Sequence, residues 1–222
     1  MKQQDYLGIM PVDRDEWFKK IGLSNFTNAY YQFRDISTYC ENTYKVLEVG
    51  PGQGLTSQLL RWKGYELTTL DVDDTFHPDV VGSVHDLSRF TDGAFDVAIV
   101  SHVLEHIPIS MLAQSLAELS RVAKYALIYL PVAGNRHSQV RVIPGFRGLD
   151  ISFIFDIFNY FRKPTGEEAI FCQGQHYWEI GYRGFRVGDT LRRFEPFYDV
   201  LNHYRNKDWN PSYNFVLKSK HL

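Results

Sequence analysis

The nine residues VLEVGPGQG, Val46 to Gly54, constrain the fold more than any other stretch of this chain. Alternating apolar residues flank an acid, Glu48, and the run then breaks into Gly50, Gly52 and Gly54. Such a sequence begins as a strand and ends in a backbone suited to a tight turn. LTSQLLRWKG follows with the spacing of a helix and Gly64 as its C-cap. Strand, glycine turn and helix in that order bring backbone amides to a helix N-terminus, where a nucleotide-like ligand can be held.

The same alternation continues downstream. YELTTLDVD reads as a second strand, DVVGSVHDL as a short third, and AFDVAIVSHVLEHI opens as a nearly continuous apolar strand. An apolar run of that kind suits the buried centre of a parallel sheet. Ser110 to Ala123 reads as a helix and YALIYLPV as another buried strand. The first 132 residues therefore predict a doubly wound α/β sheet, preceded by helical segments over 13–40. Beyond Pro131 the pattern changes. AGNRHSQVRVIPGFRG reads as loop, LDISFIFDIFNYFRK as an aromatic-rich helix, PTGEEAIFCQGQ as loop and YRGFRVGDTLRRFEPF as a helix. YDVLNHYR and SYNFVLKSK then read as two strands joined by a turn.

Composition narrows the function. The 222 residues suit one domain, 1–222, with a cap or insertion over about 133–175. A net charge of −2 argues against phosphate-backbone binding as the main business, so no nucleic-acid partner is expected. Cys40 and Cys172 lie far apart without metal-ligand spacing, which disfavours a disulfide framework and a zinc site and makes a reducing cytoplasm the default. No apolar run reaches the roughly 18 residues of a membrane span, and the polar N-terminus is unlike a signal peptide. The expected location is cytoplasmic.

The glycines run GxGxG rather than GxGxxG, and an acid stands two residues before the first. This pattern, together with Asp71 at the end of the second strand and the segment VVGSVHDLSRFTDGAFDVAIVSHVLEHI, resembles the class I S-adenosylmethionine (SAM)-dependent methyltransferases, of the small-molecule, methyltransferase type 11-like kind. The resemblance covers about residues 40–132 well and the C-terminal third loosely. It implies a Rossmann-like, doubly wound seven-stranded sheet with an antiparallel C-terminal hairpin, and SAM as cofactor. The implied cofactor contacts are Glu48 and Gly50, Gly52 and Gly54 at the methionine end, and Asp71 on the ribose hydroxyls with Val72 beside the adenine. Ser83, Val84 and Asp86 belong to the adenine-edge loop, with Ser101 and His102 at the methyl-donor end. Many relatives carry Asp where this chain has Ser83, so either Ser83 or Asp86 serves the adenine amino group. A carboxylate suits a diol because it accepts both hydrogen bonds. Glu48 either faces the methionine ammonium or orders the amides of the turn.

Methyl transfer from a sulfonium is an in-line displacement with an activated donor, which leaves the protein to position and to exclude water. A hydroxyl acceptor also needs help losing its proton, and histidine suits that near neutral pH. Of eight histidines, His77, His137, His203 and His221 fall in loops or near chain ends. His106 and His176 are the candidate catalytic residues, each with a structural role as the alternative reading. The segment QHYWEIGYRGFRVGDTL resembles the family's approach to its penultimate helix, so His106, His176, Trp178 and Glu179 make a candidate acceptor pocket. No resident metal is expected.

The aromatic stretch at 151–161 reads equally as a lid over the acceptor or as a homodimer face, with a membrane-surface contact ranked last. The N-terminal NAYYQFRD can close the cofactor side, with Tyr30 or Tyr31 as a cover. The function expected is methyl transfer to a small-molecule or biosynthetic-intermediate acceptor, with O-methylation favoured by the available histidines. The alternatives are a non-catalytic SAM- or nucleotide-binding regulatory protein and, less favoured, an NAD-dependent oxidoreductase.

Overall fold

The computed structural model describes residues 21–133, 137–142, 149–154, 163–209 and 211–222. Helix α1 (Leu23–Tyr39) precedes strand β1 (Lys45–Val49). Helix α2 (Leu55–Lys63), β2 (Glu66–Asp71), β3 (Val80–Val81) and β4 (Phe95–Ser101) follow. After a single 3-10 turn at Leu104–His106 come α3 (Ile109–Val122) and β5 (Ala123–Pro131). A hairpin of β6 (His137–Val142) and β7 (Leu149–Ile154) comes next, and α4 (Val187–Phe194), β8 (Tyr198–Arg205) and β9 (Ser212–Ser219) complete the order.

Seven strands form one sheet in the order β3-β2-β1-β4-β5-β9-β8. The pairs from β3 through β5 are parallel, whereas β9 runs antiparallel to both β5 and β8. The chain order reverses between β1 and β4, so their carboxyl ends diverge to either side and open a crevice, the usual ligand position in such sheets.

Period-two alternation sends successive strand residues to opposite faces, and both faces are covered. Val46, Val97, Ile99, Leu127 and Val216 pack with Ile36 of α1 and Leu60 of α2 on one side. Leu47, Ala98, Val100, Ile128 and Leu217 pack with Leu112, Leu116 and Leu119 of α3 and Phe194 of α4 on the other. That explains the uninterrupted apolar runs of β4 and β5, since neither face meets water.

Three expectations need correction. Residues 149–154 form strand β7, where the aromatic content suggests a helix, and the expected loop at 133–148 contains strand β6. The two pair antiparallel from His137↔Ile154 to Val142↔Leu149. The physical reason is visible in LDISFI, where Leu149, Ile151 and Phe153 alternate with Asp150 and Ser152, a period of two that β-branched and aromatic residues reinforce. His137 accordingly stands on strand β6 rather than in a loop. Residues 155–161 of the proposed dimer face and 13–20 of the expected N-terminal helical segment lie outside the described residues. Helix α4 is shorter than 182–197. It starts where the backbone N–H of Arg186 donates to Asp189 Oδ2 at 2.9 Å and stops before Pro196.

Candidate active site

The crevice is floored by the glycine turn. Gly50, Gly52 and Gly54 have φ of 68°, 53° and 74°, a left-handed path that residues with a side chain seldom follow. At Gly50 space matters as well, because a Cβ would stand 2.5 Å from Cγ2 of Val103. At Gly54 a Cβ would meet nothing within 4 Å, which leaves the backbone at the start of α2 open to approach. No side chain caps that helix start, so its first amides are available to an anionic group.

Two carboxyl groups flank the turn. Glu48, at the end of β1, is only 5% exposed, and Ser57 of α2 donates its hydroxyl to Oε2. Burial pushes the Glu48 carboxyl up to about 7, against a smaller opposing pull from that hydrogen bond. Asp71 ends β2, where its Oδ1 accepts from the backbone N–H of Asp73 at 3.0 Å. Burial raises this carboxyl too.

The loop after β3 places Ser83, Val84 and Asp86 in three different settings. The Ser83 hydroxyl is buried, 2.6 Å from Nδ1 of His85. Val84 packs in the core. Asp86 lies at the surface, where its Oδ1 accepts from the backbone N–H of Ser88 at 3.2 Å. Gly82, Ser83, Asp86 and Arg89 border a recess of about 330 Å³. Val72, one residue beyond Asp71, is 38% exposed.

Helix α1 lies across this crevice, held by polar links at every third residue. Asn25 Nδ2 donates to Gln53 Oε1 in the glycine turn at 2.9 Å, and Asn28 Nδ2 donates to Ser101 Oγ at 2.8 Å. The Tyr31 hydroxyl donates to Asp208 at 2.6 Å, while Tyr30 is exposed. Among the described residues, Asn28 Oδ1 and Gln32 Oε1 are buried with no hydrogen-bond partner, as is Nε2 of His102. His102 follows Ser101 in a left-handed conformation, φ 55°, its ring 5.0 Å from that of Trp209. Asn25, Asn28 and Gln32 escape the sequence reading; their spacing of three and four on a helix that precedes a glycine turn is the signal that could find them.

A second cluster stands beyond the end of β4. The turn Leu104–His106 is tied to the segment 171–180, since the N–H of Tyr177 donates to the carbonyl of Glu105 at 2.8 Å. This brings His106 and His176 together, with ring centroids 4.7 Å apart and planes 89° to each other. Nδ1 of His106 lies 3.1 Å from the carbonyl oxygen of Gln175. Nδ1 of His176 lies 2.7 Å from Oε1 of Glu179. Neither oxygen can donate, so both Nδ1 atoms carry hydrogen, and in the neutral rings both Nε2 atoms hold lone pairs. Burial holds His106 below the usual histidine range. Burial pulls His176 the same way and is the largest single effect, but the hydrogen bond to Glu179 and the negative charges of Glu105 and Glu179 together outweigh it, so the net shift is upward. Trp178 sits behind these residues at 1% exposure, with its indole N–H donated to the carbonyl of Ile107 at 3.2 Å. It belongs to the core beneath the cluster.

Glu105 is the residue here that the sequence reading passes over. It is fully buried, yet among the described residues neither carboxylate oxygen has a hydrogen-bond partner. Nδ1 of His102 approaches Oε1 to 3.5 Å, an ion-pair distance too long for a hydrogen bond. Burial pushes this carboxyl up, but His102, His106 and His176 together hold it below its ordinary range.

Residues 47–126 match the family model of the methyltransferase domain. Among solved structures, the PH0226 protein of Pyrococcus horikoshii is similar at 17% identity and TM-score 0.57, over 92% of this chain and 95% of that one. A SAM-dependent methyltransferase from Archaeoglobus fulgidus is similar at 16% identity and TM-score 0.53, over 92% and 97%. The 1,6-didemethyltoxoflavin-N1-methyltransferase of Burkholderia thailandensis, solved with its substrate and S-adenosylhomocysteine, is similar at 14% identity and TM-score 0.50, over 88% and 86%. No curated protein matches the chain. These likenesses show the fold of the class I SAM-dependent methyltransferases, enzymes whose methyl donor is SAM. The open backbone at Gly54, the buried acid at Glu48 and the acid at Asp71 suit that group.

Proposed function

We propose that this chain, which has the class I SAM-dependent methyltransferase fold and a methyltransferase-domain match over residues 47–126, transfers the methyl group of SAM to a small-molecule acceptor, with oxygen the favoured target. The observation that carries the reading is the pairing of two sites at one sheet edge. A glycine turn flanked by Glu48 and Asp71 stands at the crossover of β1 and β4, and two imidazoles stand just beyond β4.

SAM supplies, when bound, a methyl group already activated on a sulfonium. The chain's residues then bind and orient. Asp71 takes the ribose diol as a double acceptor. Glu48 offers negative charge to the ammonium, and the open amides at the start of α2 serve the carboxylate. Gly82, Ser83 and Asp86 border the adenine side, with Val72 against the ring. Ser101 and His102 would hold the methyl-bearing end, and α1, bonded to Ser101 through Asn28, would keep water from it. His106, His176 and Glu179 receive the acceptor's polar group, and the two Nε2 lone pairs favour loss of its proton. An in-line approach then needs only correct distance and angle, which is where most of the acceleration in such transfers originates.

The test is turnover of methyl-labelled SAM over a panel of hydroxylated and amine acceptors. The reading expects transfer to at least one hydroxylated acceptor. His176→Ala is expected to lose turnover while keeping SAM affinity. Tight SAM binding with no transfer to any acceptor would support the non-catalytic alternative instead.

A further inference from the structure

We propose that Glu105, His106 and His176 form a binding site for a divalent transition-metal ion at the acceptor side of the crevice. One ligand atom from each residue lies within 4.8 Å of the others, and small side-chain rotations would bring them inside the roughly 4.2 Å that opposite donors span around an ion with bonds of about 2.1 Å. Two imidazoles and one carboxylate are the donor set that suits zinc, iron, cobalt or manganese, and it leaves further coordination positions open.

Three observations support a cation here over an ordinary polar cluster. The first is Glu105. A buried carboxylate without hydrogen bonds is costly, and both of its oxygens lack a hydrogen-bond partner among the described residues, with only the longer His102 contact to offset the charge. The second is the tautomer of each histidine. Nδ1 of His106 is committed to the Gln175 carbonyl and Nδ1 of His176 to the Glu179 carboxylate. An outer oxygen on one ring nitrogen, which leaves the other to ligate, is the arrangement found around protein-bound metals. Glu179 is thus a positioning residue. The third is enclosure. Glu105 is fully buried and His176 has 12% of its side chain exposed, so the donors are shielded yet reachable.

The site draws on residues from two separated segments. Neither has the spacing of a metal motif, and the pairing arises only because the 171–180 segment is bonded to the turn after β4. With an ion bound, both Nε2 lone pairs would be on the metal, and the ion rather than a free imidazole would favour loss of the acceptor's proton; that role rests on the function proposed above, whereas the binding itself does not.

The experiment uses the full chain, stripped with a chelator and titrated with Co(II), read by visible absorption and by calorimetry. The expected result is one Co(II) per chain with micromolar or tighter affinity, displaceable by Zn(II). His106→Ala and His176→Ala should each weaken binding by more than about tenfold, and Glu179→Gln by about tenfold through loss of orientation. Far-UV circular dichroism and S-adenosylhomocysteine binding, measured on the same samples, confirm that each variant is folded. If His106→Ala fails to fold, His176 and Glu179, each partly exposed, still provide the comparison. Absence of bound Co(II) at millimolar concentration overturns the proposal, as does affinity unchanged in the folded variants. S-adenosylhomocysteine binding without Co(II) binding sinks only the cation site, and the reverse sinks only the methyl-transfer reading.

Discussion

At the scale of single residues, Glu48 carries the most chemistry for its size. Its carboxyl titrates near 7 in the folded chain because burial disfavours the charge. An ordinary carboxyl in the unfolded chain titrates near 4.3. The contribution of Glu48 to stability is therefore fully present at pH below about 4.3 and is lost as pH rises through about 7. Bringing an ammonium beside it reverses the preference and expels the proton. Calorimetry of SAM binding at pH 6.5, in buffers of different ionisation enthalpy, should thus show protons released to buffer, and Glu48→Gln should abolish the release. Identical heats in all buffers would mean that Glu48 does not meet the cation. Asp71 gives a simpler expectation. Asp71→Ala should weaken SAM binding by about 1–3 kcal/mol through unpaired ribose hydroxyls, with an unaltered thermal midpoint, and calorimetry reads both affinity and stoichiometry. The limit of sequence reading also shows at this scale. Trp178 follows His176 by two and looks like part of the acceptor wall, but its side chain is enclosed and its indole N–H is satisfied by Ile107. Glu105 is silent in the sequence because an acid next to a histidine is ordinary. Only its burial and its bare oxygens mark it.

At the scale of elements, α1 is what closes the crevice. Its fixed point is Asp35, 0% exposed, which accepts from the hydroxyls of Tyr129 on β5 and Tyr204 on β8, at 2.6 and 2.5 Å, and pairs with Arg34 at 2.7 Å. Removing that acceptor leaves the buried Tyr129 hydroxyl without it. Asp35→Ala should cost about 1–3 kcal/mol, seen as a lower urea midpoint with unchanged slope. Amides of α1 should exchange faster while those of α3 keep their protection, since α3 packs on the opposite face. Equal protection in both helices would show that α1 is held by other means. The β6–β7 hairpin teaches the converse lesson. Its two strands are separated by six residues and alternate with a period of two, but the aromatic density of 151–161 suggests a helix when strand spacing is not counted residue by residue. Short apolar runs are ambiguous between the two periods, and pairing with a partner strand settles the matter.

At the scale of the whole molecule, the parallel core was legible because each strand of it obeys a local rule. Both-face burial makes β4 and β5 read as apolar runs, and the terminal pair β8–β9 shows its turn in NKDWNP. The glycine turn and its two acids were legible for the same reason, since strand, turn and helix adjoin in sequence. The cluster of Glu105, His106, His176 and Glu179 draws on segments about 70 residues apart, joined by the backbone bond from Tyr177 to Glu105, and no local pattern reports such a contact. Among the described residues no helix is long and apolar enough to cross a membrane. The central claim concerns the cofactor, and a competitive titration tests it most directly. Calorimetric titration with S-adenosylhomocysteine should show one site of micromolar affinity, weakened in Asp71→Ala, and titration with NAD should show no binding. Binding of NAD together with indifference to S-adenosylhomocysteine would contradict the account.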